Sequence, residues 1–138
     1  MPSANARTLP KRLADAYFTG SFKFLLVSAA PSEANLDAWA VRSSVTNEVT
    51  GTGYTAGGVA TTVTVGAVDT ANNRVAVTIS NFTLPNATLT AVGGWLYKVV
   101  GTAATDQLVS FVDFNAPVSS TASDFAVTFS DPIYIATL

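Results

Sequence analysis

A chain of 138 residues with no His, no Cys and 12% charged residues excludes disulfides, thiolate metal sites and thiol or imidazole catalysis before any motif is considered. Its length is that of one ordinary domain, in which a single core buries about two thirds of the unfolded surface. Seven scattered basic residues against nine acidic ones, net charge -2, argue against nucleic-acid binding.

Residues 1–9 carry almost no apolar periodicity and read as an extended or mobile amino-terminal arm on a single domain spanning 1–138. Pro10 followed by KRLADAYF predicts a short amphipathic helix, with Leu13, Ala14 and Tyr17 on one face, Lys11, Arg12 and Asp15 on the other, and Gly20 as its stop. The stretch Ser21 to Ser28 is apolar on nearly both faces and predicts a strand inside a sheet or against a neighbour. Ser32-Glu33-Ala34-Asn35, just after Pro31, opens a second short helix through LDAWAV, in which Leu36 and Trp39 stand three apart and are expected to bury together.

Beyond that helix Thr and Val dominate, and the pattern is β. Strands are predicted at about 59–68, 74–80, 89–100, 107–113, 124–129 and 133–137, with Gly101, Pro117 and Pro132 marking loops. The run from Asp69 to Asn73 has the turn chemistry of a hairpin. Gly93-Gly94 inside a strand pattern predicts a bulge or a close backbone approach. The expected fold class is mainly β: an antiparallel β-sandwich or jelly-roll-like barrel with one or two short helices near the amino terminus.

No apolar block approaches the roughly 20 residues of a membrane span, the longest being Phe24-Leu25-Leu26-Val27, and Asp15 interrupts any signal-peptide core. Typical domains are about 25% charged. With 12% charge and 49% hydrophobic residues, much of this surface must be Thr, Ser, Asn, Ala and Gly, which desolvates easily and suits burial in an assembly.

The densest local pattern is SVTNEVTGTGYTAGG, from Ser44 to Gly58. Gly51, Gly53, Gly57 and Gly58 allow positive φ and close backbone approach, Asn47 and Glu48 can bond backbone groups, and Tyr54 can bury its ring while its hydroxyl reaches a polar partner. These features predict a structured loop. No Lys follows the glycines as in a phosphate-binding loop, and no GxGxxG precedes a predicted helix. A Ca2+ site at Glu48 or at the Asp69 to Asn73 turn would need several convergent oxygens, and isolated Asx turns are usually only turns.

The order of these elements resembles a widespread family of small tailed-bacteriophage virion structural proteins. The resemblance rests on a short amino-terminal helix, a strand of type FKFLLVSAAP, a helical stretch ending near VRSSVTNEV, the run GTGYTAGG, and a later strand ending LVSFVDF. Thr46 to Gly58 matches the family piece TNEVTGTGYTAGG, and Phe111-Val112-Asp113-Phe114-Asn115 is similar to the later piece YVDFG. Asn115 departs from the final glycine of that piece, and the strand of the 60s is unusually rich in Thr.

The resemblance implies a structural component of a virion and no enzyme: a capsid decoration or cement subunit on the capsid surface, assembled in the host cytoplasm, bridging major capsid proteins and self-associating as a homo-oligomer. The alternative it implies is a tail, neck or fibre-associated adaptor or receptor-contact protein. Candidate interface residues are Arg7, Lys11, Arg12, Asn47, Glu48 and Tyr54, and no residue is assigned to catalysis, a cofactor or a metal. Trp39 and Trp95 are possible aromatic anchors, with core packing the favoured role. Trp95 and Tyr97 point the same way along a strand, which fits either a core face or a sugar-binding surface. An enzyme would have to use paired carboxylates among Asp113, Asp124 and Asp131, which lack a nucleophile system beside them.

Overall fold

The structure, a computed structural model, describes residue 6 and residues 8–136. Most of the arm expected at 1–9, including Arg7, lies outside the described residues. Two antiparallel sheets and a short amino-terminal helix make up a mainly β protein, and neither sheet closes into a barrel, so the jelly-roll-like barrel expectation is corrected. The described chain groups into two compact units.

The first unit comprises the helix α1 (Leu9–Tyr17) and a sheet of β3 (Val63–Asp69), β4 (Arg74–Ile79) and β7 (Ile133–Ala136) in the order β3-β4-β7. Pro10 stands in the first turn of α1, where its missing N–H is no loss. The helix buries Pro10 and Ala14, and Ala14 packs with Phe18 on Val75 and Val77. Leu13, placed by the sequence on the inward face, is 55% exposed, because the inward stripe is centred on Pro10, Ala14 and Phe18. The β3–β4 hairpin forms as predicted: Asp69 Oδ1 accepts the backbone N–H of Ala71 at 3.1 Å and of Asn72 at 3.2 Å, and Asn73 takes φ 53°.

The second unit holds β1 (Phe22–Val27), α2 (Glu33–Ala38), a 3-10 turn at Arg42–Ser44, β2 (Val59–Thr61), β5 (Phe82–Lys98) and β6 (Gln107–Val127), with sheet order β2-β1-β5-β6. The strand β1 is central and buried on both faces, as its composition requires. Leu25 and Val27 pack with Trp95 and Tyr97 on one face, against the half-buried Trp39, Val45 and Phe111. On the other face Phe24 and Leu26 are fully buried, and the Phe24 ring lies 5.9 Å from that of Phe82. Ser32 caps α2 by accepting Asn35 N–H at 3.2 Å.

Leu36 does not join Trp39 in the interior: it is 46% exposed, whereas Trp39 turns to Trp95 at 6.3 Å. The predicted strand at 59–68 is two strands in different sheets, divided at Thr62, and the Thr/Val pattern runs through that break without a signal. The predicted strands at 107–113 and 124–129 are one strand of 21 residues. Pro117 is inside it, which an edge strand allows because one side of its backbone needs no ladder partner. Register shifts between Ala91 and Gly93 place the bulge that the glycine pair predicted.

Candidate functional site

The Gly-rich run is a bridge between two strands. At its start Ser28 donates its backbone N–H to Asn47 O at 2.9 Å and Val49 donates to Leu26 O at 3.0 Å, continuing the ladder off β1. Farther on, Thr88 of β5 donates to Thr52 O at 2.9 Å. Between these anchors the chain must lie against β5, and Gly53 permits it: φ is 84°, and a Cβ there would stand 2.9 Å from Ala87 Cα. Gly58, at φ 90°, approaches the Phe24 carbonyl where no side chain would fit.

Glu48 organises the loop from inside. One oxygen, Oε1, accepts the Tyr54 hydroxyl at 2.7 Å and Gly57 N–H at 2.6 Å, closing the run on itself. The Tyr54 oxygen in turn accepts Leu26 N–H from β1 at 3.1 Å. Burial, and then its hydrogen bond to Glu48, push the Tyr54 hydroxyl well above the ordinary phenol range, so it stays a donor. Tyr97 reaches the same loop from β5 and donates its hydroxyl to the Gly57 carbonyl. Asn47 donates Nδ2–H to Ala29 O at 2.9 Å, tying the run to the end of β1.

A second carboxylate continues the cluster. The Arg42 guanidinium lies 5.3 Å from the centre of the Tyr97 ring and donates Nε–H to Asp106 Oδ2 at 2.9 Å. Asp106 is only 3% exposed, and its Oδ1 accepts Val100 N–H at 2.8 Å and Gly101 N–H at 3.0 Å. Burial alone would raise this carboxyl, but the Gly101 and Val100 amides and the Arg42 side chain outweigh it and hold it below the usual carboxylate range. Arg42 N–H also donates to Asp106 O at 2.9 Å, so backbone and side chain pin the same loop.

Of the predicted interface residues, the structure joins Glu48 and Tyr54 by a hydrogen bond, while the neighbouring Asn47 bonds Ala29 O, and all three are half-buried. Lys11 and Arg12 belong to α1, where Lys11 pairs with Asp15 at 3.0 Å, and Arg7 lies outside the described residues. Arg42 and Asp106 were not singled out by the sequence, and Tyr97 was noted only beside Trp95, for a core face or a sugar-binding surface. An Asp in the loop after Gly101 resembles any solvated loop Asp, and Arg42 stands 64 positions from its partner.

Chemically the cluster is a brace. Its carboxylates are occupied by N–H and O–H donors of the same chain, and among the described residues no group of three or more His, Cys, Asp or Glu could hold a metal ion. Asp113 uses Oδ1 to accept Asn115 N–H at 2.7 Å, the geometry of an Asx turn. Trp95 and Tyr97 are core residues, 5% and 2% exposed, which removes the stacking surface a sugar would need there. No protein-family model, no curated protein and no solved structure matches the chain.

Proposed function

We propose that this chain is a structural subunit of a tailed-phage particle, a decoration or cement protein that binds repeatedly to the outside of the head and bridges major capsid proteins. One observation carries the proposal: the run that resembles the virion family is consumed by its own fold. Glu48, Tyr54 and Gly57 bond one another and β1. A run used up in this way supports a scaffold role, and the proposal assigns it no catalysis.

The departure from the family pattern at Asn115 also supports the resemblance. Asn115 takes φ 66°, the left-handed region in which glycine is favoured and Asn is the next best residue. The substitution is therefore conservative in backbone terms. A β-sandwich architecture belongs to the same reading, as do self-association and a place on the virion surface. Sparse charge suits a subunit covered on several sides, and each bound copy would stabilise the assembled shell by mass action.

Protein stoichiometry of purified particles, with a cryo-EM map of the head, tests the proposal. Hundreds of copies on the capsid lattice at one type of local symmetry axis are expected. A few copies at the tail vertex would replace it with the tail-adaptor alternative.

A further inference from the structure

Among the described residues, two short helices carry exposed apolar faces flanked by opposite charges. On α1, Leu9, Leu13 and Ala16 recur at helical spacing on the side away from the Lys11–Asp15 pair, with Arg12 beside them. Leu13 is 55% exposed, and Arg12 is exposed and joins none of the ion pairs among the described residues. On α2, Glu33, Leu36 and Asp37 share one face by the same spacing. No residue of α2 is buried, Leu36 is 46% exposed, and neither Glu33 nor Asp37 joins an ion pair among the described residues.

We propose that α1 of one copy docks on α2 of a second copy, with Leu13 against Leu36 and Arg12 between Glu33 and Asp37. Charge complementarity selects this occupant. In a chain with 12% charged residues few other groups compete, and each face offers what the other lacks. Every copy donates one α1 and receives one α1, so the contacts close in a two-fold pair or a ring, or run on in open chains. Helices of 9 and 6 residues are about 14 Å and 9 Å long at 1.5 Å per residue, so one contact is small and weak, and ring closure or repetition supplies the rest. The proposal deepens the self-association part of the proposed function and is tested on the purified chain alone, so its failure is separable from failure to bind a capsid.

Sedimentation velocity of the full chain over a range of concentration, at low and high salt, is the experiment. Self-association that weakens at high salt is expected. Arg12→Glu should weaken it about tenfold or more, and Glu33→Lys with Asp37→Lys should do the same, because reversal turns attraction into repulsion. The three substitutions together in one chain should restore association to within a few fold of the parent. Leu13→Ser should weaken it without changing its salt dependence. Circular dichroism and thermal melts should be unchanged throughout, since all four positions are exposed. A chain that stays monomeric at every concentration, charge reversals without effect, or a triple variant that fails to recover would each overturn the proposal. Loss of capsid binding by Arg12→Glu with self-association intact would overturn it too, assigning α1 to the shell.

Discussion

Glu48 Oε1 takes the Tyr54 hydroxyl at 2.7 Å and the Gly57 amide at 2.6 Å, so one oxygen atom fastens both the middle and the end of a ten-residue loop. The loop holds its shape because Tyr54 is itself anchored to β1 through Leu26 N–H. Removing any of the three partners should therefore loosen the others, which makes the network testable by substitution.

Tyr54→Phe should cost about 1–3 kcal/mol, because it deletes an oxygen that serves two partners and leaves the β1 amide of Leu26 without its acceptor. Glu48→Ala should cost at least as much, and Glu48→Gln less, since an amide oxygen has two lone pairs and can still accept both donors, without the carboxylate's charge. Urea unfolding midpoints would measure all three. Equal losses for Gln and Ala would mean that the charge, and not the acceptor position, carries the effect; no loss for either would mean that Glu48 does not brace the loop.

Asp106 gives the acid response a direction. Its carboxyl is held below the usual range despite its burial, by the Gly101 and Val100 amides and Arg42. A depressed folded-state pKa stabilises the fold at pH values above the unfolded value of about 3.9, and that contribution is lost as pH falls through the lower folded value. Asp106→Asn should be destabilising by about 2–4 kcal/mol at pH 7, because Arg42 keeps its charge in a largely enclosed site without a carboxylate. The gap between parent and variant, followed by urea unfolding at a series of pH values, should be constant above about pH 5 and shrink below about pH 4. A gap independent of pH would show that the ion pair does not act in folding.

Local pattern made much of this fold legible, and tertiary pairing hid the rest. The α2 cap at Ser32, the Asp69 turn and the doubly buried β1 each depend on residues adjacent in sequence, and each was readable. The break at Thr62 was not, because Val59, Thr61, Val63 and Val65 keep one alternation straight through it, while the two halves pair with β1 and with β4. The reach of β6 was hidden for a related reason: Pro117 ends most strands, and only its place on a sheet edge makes it tolerable. The loop residues Asn47, Glu48 and Tyr54 were found because they sit in one run, whereas Arg42 and Asp106 meet only after folding.

Gly94 separates the two meanings of a strand glycine. It faces Leu26 across the β1–β5 ladder, and a methyl group on its Cα would strike the Phe24 ring and the Leu25 carbonyl. Phe24 is fully buried, so its ring has no free space into which to swing. Gly94→Ala should therefore cost about 1–3 kcal/mol or more through overpacking, lowering the melting temperature by roughly 3–10 °C for a chain of this size. Gly101→Ala is the control: nothing stands within 4 Å of its added Cβ, and a change within about 0.5 kcal/mol is expected. Differential scanning calorimetry of the two variants decides the matter. If Gly94→Ala melts with the control, the glycine serves chain flexibility and the close approach of β1 to β5 does not require it.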